Sequence, residues 1–95
     1  MWIEYRYSEP RRIGSAEVYW AADTDGRGCK LPSSWWLQWW DGSAWQPVQG
    51  AAAYPTEQDK FNRVRFAPVH TQAIRLQVAA QGRQPVGILE WRISE

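Results

Sequence analysis

The stretch Trp35-Trp36-Leu37-Gln38-Trp39-Trp40, followed by the turn-forming pair Asp41-Gly42, holds four of the eight tryptophans in the chain. With a period of two, this stretch is a β-strand whose alternate side chains point to opposite faces. One face then carries Trp35, Leu37 and Trp39, and the other carries Trp36, Gln38 and Trp40. If the first face is the core, two large indoles stand on the wet face. Exposed apolar area of this kind is typical of a binding or packing surface.

The rest of the chain continues the same pattern of short alternating segments, without a convincing helical period. We predict an all-β fold, an antiparallel β-sandwich in which each sheet has one dry face. The predicted strands are Trp2 to Tyr7, Ile13 to Trp20, Ser34 to Trp40, Trp45 to Val48, Phe61 to Phe66, Ala73 to Val78 and Ile88 to Ile93. The predicted breaks include Ser8-Glu9-Pro10 and Ala67-Pro68, since proline and glycine punctuate strands.

Length and composition describe a small domain with no strong electrostatic partner. The 95 residues are expected to form one domain over positions 1–95, with a net charge of +1. Cys29 is the single cysteine, which excludes an internal disulfide and leaves the cell compartment open. No apolar run is long enough for a membrane-spanning helix, and the first residues do not form a signal peptide. We therefore expect a soluble chain with no membrane partner.

Candidate catalytic groups are few. Cys29 and His70 are the possible thiolate and base, but a Cys–His pair is defined by geometry that a sequence does not contain. Asp23, Asp25 and Asp59 fall in predicted loops, and nothing in their spacing singles out a glycosidase pair. A non-catalytic chain without a metal or other cofactor is the expectation that follows.

The wet-face arginines have two interpretations. Arg63, Arg65 and Arg75 beside exposed indoles are a pattern that single-stranded nucleic acid can use. The near-zero net charge argues against nucleic acid, so we expect these guanidinium groups to stack on Trp36 and Trp40, at about 0.5–1 kcal/mol per contact.

The tryptophans divide into core and surface candidates. Trp35, Trp39, Trp45 and Trp91 are expected in the core, because large aromatic side chains dominate the burial of small sandwiches. Trp36 and Trp40 lie four residues apart along one strand, about 13 Å at ~3.3 Å per residue. That separation suits a flat protein interface better than a clamp for one sugar ring. We predict an interface, in a homo-oligomer or against a partner domain, that is formed by Trp36, Trp40, Arg63 and Arg65.

Several short motifs, taken in order, resemble a known family. They are Trp2-Ile3-Glu4-Tyr5, Glu9-Pro10-Arg11-Arg12-Ile13, Val18-Tyr19-Trp20, Leu31-Pro32-Ser33-Ser34-Trp35, Asp41-Gly42-x-x-Trp45 and Ala73-Ile74-Arg75-Leu76. In this order the chain resembles the galactose-binding-like jelly roll of discoidin and coagulation-factor type C domains. Three further motifs resemble, more narrowly, the accessory β domain of bacterial glycoside hydrolases of the β-L-arabinofuranosidase type: Gly28-Cys29-Lys30-Leu31-Pro32, Asp59-Lys60-Phe61-Asn62-Arg63-Val64 and Gly87-Ile88-Leu89-Glu90-Trp91.

The resemblance implies a non-catalytic module that binds carbohydrate or packs against its own hydrolase domain. Domains of this family begin further upstream, with an extra strand or two and an Asp-Gly loop that often helps to hold calcium. We expect this chain to lack those strands and to start at an internal one, which leaves a bare sheet edge or an uncovered apolar face that favours association. The alternative to sugar binding is a structural or self-assembling β domain without a ligand.

A neutral sugar such as galactose or arabinose would need an aromatic face together with amide, carboxylate or guanidinium groups. Two sets of loop residues could supply them. One is Trp20 with Asp23 and Asp25, and the other is Tyr54 with Phe61 and Asn62.

Overall fold

Alternating side chains build two unusually long strands, and these organise the whole molecule. A computed structural model describes residues 2–21, 31–80 and 86–95, with the side chain of residue 89 excepted. The strands are β1 (Trp2–Ala21), β2 (Ser34–Trp40), β3 (Trp45–Pro47), β4 (Phe61–Ala79) and β5 (Gly87–Ser94). They form one antiparallel sheet in the order β3-β2-β4-β1-β5. The described residues contain no helix, and so none that could cross a membrane.

At two of the predicted breaks the strands do not end but continue, so the prediction of separate strands is wrong there. Ser8-Glu9-Pro10 lies within β1 and Ala67-Pro68 lies within β4, so four predicted segments merge into two strands. The ladder between β1 and β4 nevertheless shifts register at these places, between Arg6 and Arg11 and between Ile13 and Ser15. Proline has no backbone N–H to donate, and both Pro10 and Pro68 fall at positions of the β1–β4 ladder that have no paired residue. The prolines therefore mark bulges that bend the strands.

The bends curl the sheet into two facing layers. We call β2, β3, residues 2–7 of β1 and residues 71–79 of β4 the first layer. The second layer is made of residues 15–21 of β1, residues 61–69 of β4, and β5. Trp20 of the second layer meets Trp35 of the first edge to face, with ring centroids 5.5 Å apart, although β1 and β2 are not neighbours in the sheet. This contact confirms the predicted all-β antiparallel sandwich.

One apolar cluster fills the space between the layers. The predicted core face of β2 is confirmed, because Trp35 is 1% exposed and Leu37 is 0% exposed, with Trp39 packed against the same cluster. The other fully or nearly fully buried hydrophobic residues are Ile13, Ala16, Val18, Trp20, Val48, Val64, Phe66, Ala73, Ile74, Leu76 and Val78.

The segment between β3 and β4 covers the core at the β2 edge. The indole Nε1 of Trp35 donates to the carbonyl of Pro55 at 2.7 Å, and the ring of Tyr54 packs edge to face on Trp35 at 4.9 Å. The backbone N–H of Leu37 donates to the Tyr54 hydroxyl at 3.3 Å, while the Leu37 carbonyl accepts from the N–H of Val48 at 3.2 Å. This irregular segment is therefore held by the strand whose core face it covers.

Candidate binding surfaces

Four indoles share the outer side of the first layer. Because side chains alternate along each strand, Trp36 and Trp40 of β2, Trp2 of β1 and Trp45 of β3 all point away from the core. We call these residues, with Arg75 of β4 between them, the tryptophan face. Trp2 is 55% exposed and Trp36 is 39% exposed, and both exposed fractions are higher than those of most apolar side chains among the described residues.

Arg75 is the centre of the tryptophan face. Its guanidinium carbon lies 4.0 Å from the ring centroid of Trp45 and 4.7 Å from that of Trp2, so two indoles flank one cation. Its Nη2 also pairs with Glu4 Oε1 at 3.3 Å, and Glu4 Oε2 pairs with Arg6 Nε at 2.8 Å. The Arg75 Nε is buried and has no hydrogen-bond partner among the described residues. One donor of this group therefore remains unsatisfied.

The exposed indoles stand on either side of an amide. Trp36 and Trp2 each lie directly opposite Gln77 in the sheet, on its two neighbouring strands. With strands about 4.8 Å apart, the two tryptophan backbones are separated by roughly 10 Å. Gln77 Nε2 donates to Gln38 Oε1 at 3.1 Å, which fixes the orientation of both amides. Aromatic rings and amide groups therefore alternate across this end of the face.

The four predicted interface residues do not form one surface. Trp36 and Trp40 lie on the outer side of the first layer, whereas Arg63 and Arg65 lie on the outer side of the second. The predicted stacking of arginines on Trp36 and Trp40 is wrong, because among the described contacts Arg75 stacks on other indoles and Arg63 pairs instead with Glu17 at 3.5 Å. The reason is the bend in β4, which places its two halves in opposite layers.

The core prediction for Trp45 is also wrong. Trp45 pairs directly with Trp40 across β2 and β3, and the two rings meet edge to face at 5.5 Å. Both are partly buried by each other and by Arg75 rather than by the core. Trp2 was not among the predicted site residues, although its alternation with Ile3 and Tyr5 already assigns it to the side of Glu4 and Arg6.

In the first predicted sugar set, Trp20 is inaccessible in this structure. Its side chain is 0% exposed and packs on Trp35, and its Nε1 has no hydrogen-bond partner among the described residues. Asp23 and Asp25 lie outside the described residues, as does Cys29. In the described part of the chain, no three His, Cys, Asp or Glu side chains group as metal ligands.

In the second predicted set, Asn62 is 1% exposed and acts within the structure. Its Oδ1 accepts the N–H of Glu57 at 2.7 Å, and its Nδ2 donates to the carbonyls of Glu57, Lys60 and Val18 at 2.8, 3.0 and 3.3 Å. These bonds fix the turn at residues 57–60, in which Asp59 takes a positive φ of 60°. The side-chain amide is therefore fully used.

The two aromatic residues of that set do not face one ligand space. Tyr54 is half-buried on Trp35, and this desolvation raises the pKa of its hydroxyl, against the smaller lowering effect of the Leu37 N–H. Phe61 packs edge to face on Tyr19 at 5.2 Å and lies under the guanidinium of Arg92 at 4.3 Å. Sugar binding by either loop set stays a prediction.

A second concave surface lies between the start of β1 and β5. This cleft of about 950 Å³ is lined by Ile3, Tyr5, Tyr7, Arg11, Ile88, Glu90, Trp91, Arg92 and Ile93. The ring of Tyr5 stacks on Trp91, with centroids 4.6 Å apart, and more loosely on Tyr7 at 6.4 Å. Burial raises the pKa of the Tyr7 hydroxyl, although the Arg11 guanidinium, 4.9 Å from the ring centroid, lowers it in part. The two walls of this cleft are distant in the chain, so no local pattern in the sequence indicates it.

Comparison with known proteins gives a likeness to a solved structure. No protein-family model matches the chain, and no curated protein matches it. Among solved structures, the chain is similar to the beta-galactosidase BgaA of Streptococcus pneumoniae, with a TM-score of 0.75 and 19% sequence identity. The likeness covers 92% of this chain and 61% of the BgaA chain, so this protein spans less than two thirds of its neighbour. At this identity the likeness shows a shared fold.

Proposed function

We propose that the protein is a non-catalytic accessory module of a glycoside hydrolase, and that it contacts carbohydrate through the tryptophan face. The shared fold with a chain of BgaA, a beta-galactosidase, supports the association with a glycoside hydrolase. The motif resemblance supports the same class of protein. The more specific assignment to the β-L-arabinofuranosidase type rests on the motifs alone.

The observation that carries the carbohydrate proposal is the pair of exposed indoles on either side of Gln77. Trp2 and Trp36 offer flat apolar surfaces for the C–H faces of sugar rings. Their separation of roughly 10 Å suits an extended glycan better than one monosaccharide. The amides of Gln77 and Gln38, which lie between and beside the rings, supply donors and acceptors for hydroxyl groups.

The charged groups of this face support recognition of a neutral glycan. The Arg75 guanidinium is already paired with Glu4, which also pairs with Arg6, so these three groups keep one net positive charge and are not the cluster of unpaired cations that would select an anionic ligand. The lone pairs of the partly exposed Glu4 carboxylate can still accept from sugar hydroxyls, whereas the unpartnered Nε of Arg75 is buried beneath the face. This face therefore combines the aromatic, amide, carboxylate and guanidinium groups that were predicted for the two sets of loop residues.

A non-catalytic role is proposed because, in the part of the chain that the structure describes, the tryptophan face and the cleft carry one carboxylate each. Among the described residues, Glu4 is the carboxylate of the tryptophan face and Glu90 is that of the cleft. Glycoside hydrolysis ordinarily uses two carboxyl groups that flank the scissile bond. A binding role fits this arrangement better than hydrolysis.

Calorimetric titration with galactose, arabinose and their oligosaccharides tests the proposal. We expect weak, saturable binding that is stronger for oligosaccharides and is lost in Trp36→Ala and Trp2→Ala. Tyr5→Ala is the matched control, because Tyr5 is 38% exposed but lies in the cleft. If binding is absent at high millimolar sugar, or is equally reduced by all three variants, the tryptophan face is not a sugar site.

A second candidate function is supported by the composition of the same face. Tryptophan and arginine are the residues most enriched at the energetic centres of protein interfaces, and here they are already stacked and ordered. The face would then pack against a hydrolase domain or a second copy. Sedimentation velocity at high micromolar concentration should show a species above the monomer mass, and the double change Trp2→Arg, Trp36→Arg should restore the monomer. A monomer at all concentrations would argue against self-association.

A further inference from the structure

Within residues 2–21, 31–80 and 86–95, no strand lies beside the outer edge of β5. The described pairing of β5 is with β1, from Ser15 opposite Ser94 to Ala21 opposite Gly87, and β5 is the last strand in the sheet order. In an antiparallel strand, backbone groups point alternately to the two neighbours, so half of the N–H and C=O groups of β5 face away from the sheet. Such an edge is a template for another strand.

The cleft runs along this edge. Four consecutive residues of β5, Glu90 to Ile93, line it. Since successive side chains of a strand point to opposite faces, a cleft can touch four in a row only if it opens along the strand edge. From β1, in contrast, alternate residues line the cleft, namely Ile3, Tyr5 and Tyr7. The inner face of β1 is therefore the floor of the cleft, and the edge of β5 is its wall.

The floor is an uncovered part of the core. Ile3, Leu76 and Leu37 lie in one row across three strands, on the inner face of the first layer. Leu37 and Leu76 are 0% exposed, whereas Ile3 is only partly buried and Tyr5, two residues further along β1, is 38% exposed. The second layer ends at β5 and covers them only in part, through the Trp91 ring that stacks on Tyr5. One more strand beside β5 would complete this layer and cover both side chains.

Tyr5 partly closes the edge. Its hydroxyl crosses the cleft and donates to the backbone carbonyl of Trp91 at 2.8 Å, while its ring stacks on the Trp91 indole. This bond occupies the carbonyl of Trp91, at the edge where an incoming strand would donate its own N–H groups. An incoming strand would have to displace or share it.

We propose that the cleft is the docking site for an extended segment of a partner polypeptide, which adds as a strand to the outer edge of β5. The free backbone groups specify an extended peptide, which is the mode of recognition called β-augmentation. Its alternate residues must be apolar, to cover Ile3 and Tyr5. An acidic residue near one end is expected, because Arg11 has no carboxylate partner among the described ion pairs, whereas Arg92 is paired with Glu90.

A second copy of the chain fits the cleft less well than a free segment. The β5 edge of another molecule belongs to a sheet that is already packed on its own first layer. In edge-to-edge pairing of two such sheets, the inner side chains of the second copy's β5 already pack on that copy's own core, so they are not free to cover Ile3 and Tyr5 of the first copy. A single strand satisfies the edge and covers the floor together.

The test uses a synthetic peptide of about ten residues in which valine alternates with threonine and one threonine is replaced with aspartate. Hydrogen exchange of the β5 amides (Gly87–Ser94) is measured with and without it. We expect saturable binding and about tenfold slower exchange of the outer-edge amides. The same peptide with N-methylated backbone keeps its side chains but loses its donors, and should give no protection. β3 is the internal control, because it is the other end of the sheet and should not change.

Tyr5→Phe provides an independent readout. This variant keeps the ring that stacks on Trp91 but removes the hydroxyl from the edge, so the peptide should bind roughly twofold to tenfold more tightly. Tyr19→Phe is the control, and should bind as the unmodified protein does. The proposal is overturned if the N-methylated peptide protects equally, if no peptide protects at millimolar concentration, or if β5 protection rises with protein concentration alone, which would identify a second copy as the occupant.

Discussion

The guanidinium of Arg75 lies 4.0 Å from the ring centroid of Trp45, although β2 separates their two strands in the sheet. The β2 residue directly opposite Arg75 is Gln38, so the contact with Trp45 reaches across the intervening strand. Trp2 covers Arg75 from β1, on the other side. One side chain of β4 thus links the outer faces of all four strands of the first layer.

Arg75→Ala should lower the free energy of unfolding by about 1–2 kcal/mol, since each of two ring contacts contributes ~0.5–1 kcal/mol. The ion pair with Glu4 adds little because it is partly exposed. Urea denaturation followed by circular dichroism measures the change. Arg65→Ala is the matched control, because Arg65 is exposed on the opposite layer, and it should stay within ~0.5 kcal/mol of the unmodified protein. Equal effects of the two changes would show that the stacking on Arg75 does not stabilise the sheet.

Local alternation made much of the fold predictable. The side on which each residue of β2 lies follows from a period of two, because a one-residue slip would expose Leu37 and bury Gln38. The same period was sufficient to place Trp2 beside Glu4. The face of a strand on which a side chain lies depends only on its neighbours in the sequence, so it can be predicted from the sequence directly.

The candidate site was less predictable because it depends on how distant strands meet. Trp45 was expected in the core from its residue type, but its register against Trp40 turns it outward. Arg63 and Arg75 lie in one strand and were expected on one surface, but the bulge near Pro68 places them on opposite sides of the sandwich. The prolines correctly indicate that the ladder between β1 and β4 is interrupted. The prediction that the strands end there is wrong, because a bend within a strand and a break between two strands have the same local composition.

Asp41 should make the β2–β3 hairpin sensitive to acid. Its Oδ1 accepts the N–H groups of Ala44 and Ser43, both at 2.8 Å, and Oδ2 accepts Gln46 Nε2 at 2.9 Å, which together lower the pKa of the carboxyl. A lowered pKa in the folded state stabilises the protein above the ordinary aspartate value of about 3.9, and this contribution is lost as the pH falls through the folded value. The melting temperature of Asp41→Asn should be below that of the unmodified protein at pH 7, and the difference should shrink as the pH falls through the lowered pKa of the folded Asp41 carboxyl.

Tyr54 should make stability sensitive to alkali. Desolvation raises the pKa of its hydroxyl, so the contribution is complete below the ordinary tyrosine value of about 10 and is lost as the pH rises through the folded value. Tyr54→Phe should cost about 1–3 kcal/mol at pH 7, because the Leu37 N–H loses its acceptor, and should weaken the decline above pH 10. Urea denaturation at pH 7, 9 and 10.5 measures both effects. An unchanged alkaline decline in Tyr54→Phe would assign it to Tyr7, whose pKa is also raised.

Asn62 should contribute strongly to the stability of the fold. Asn62→Ala removes the donor for three carbonyls and the acceptor for one N–H, and should lower the free energy of unfolding by about 2–4 kcal/mol. That is a large share of the ~5–15 kcal/mol expected of a small domain. Asn62→Asp should be worse at pH 7, because an ionised carboxylate then faces the carbonyls of Val18, Glu57 and Lys60, and should partly recover near pH 3.5, where the protonated acid can donate. Urea denaturation at both pH values measures these changes, with the exposed Gln72→Ala as control. If Asn62→Ala were as stable as the unmodified protein, the hydrogen bonds of Asn62 would not be what holds the turn at residues 57–60.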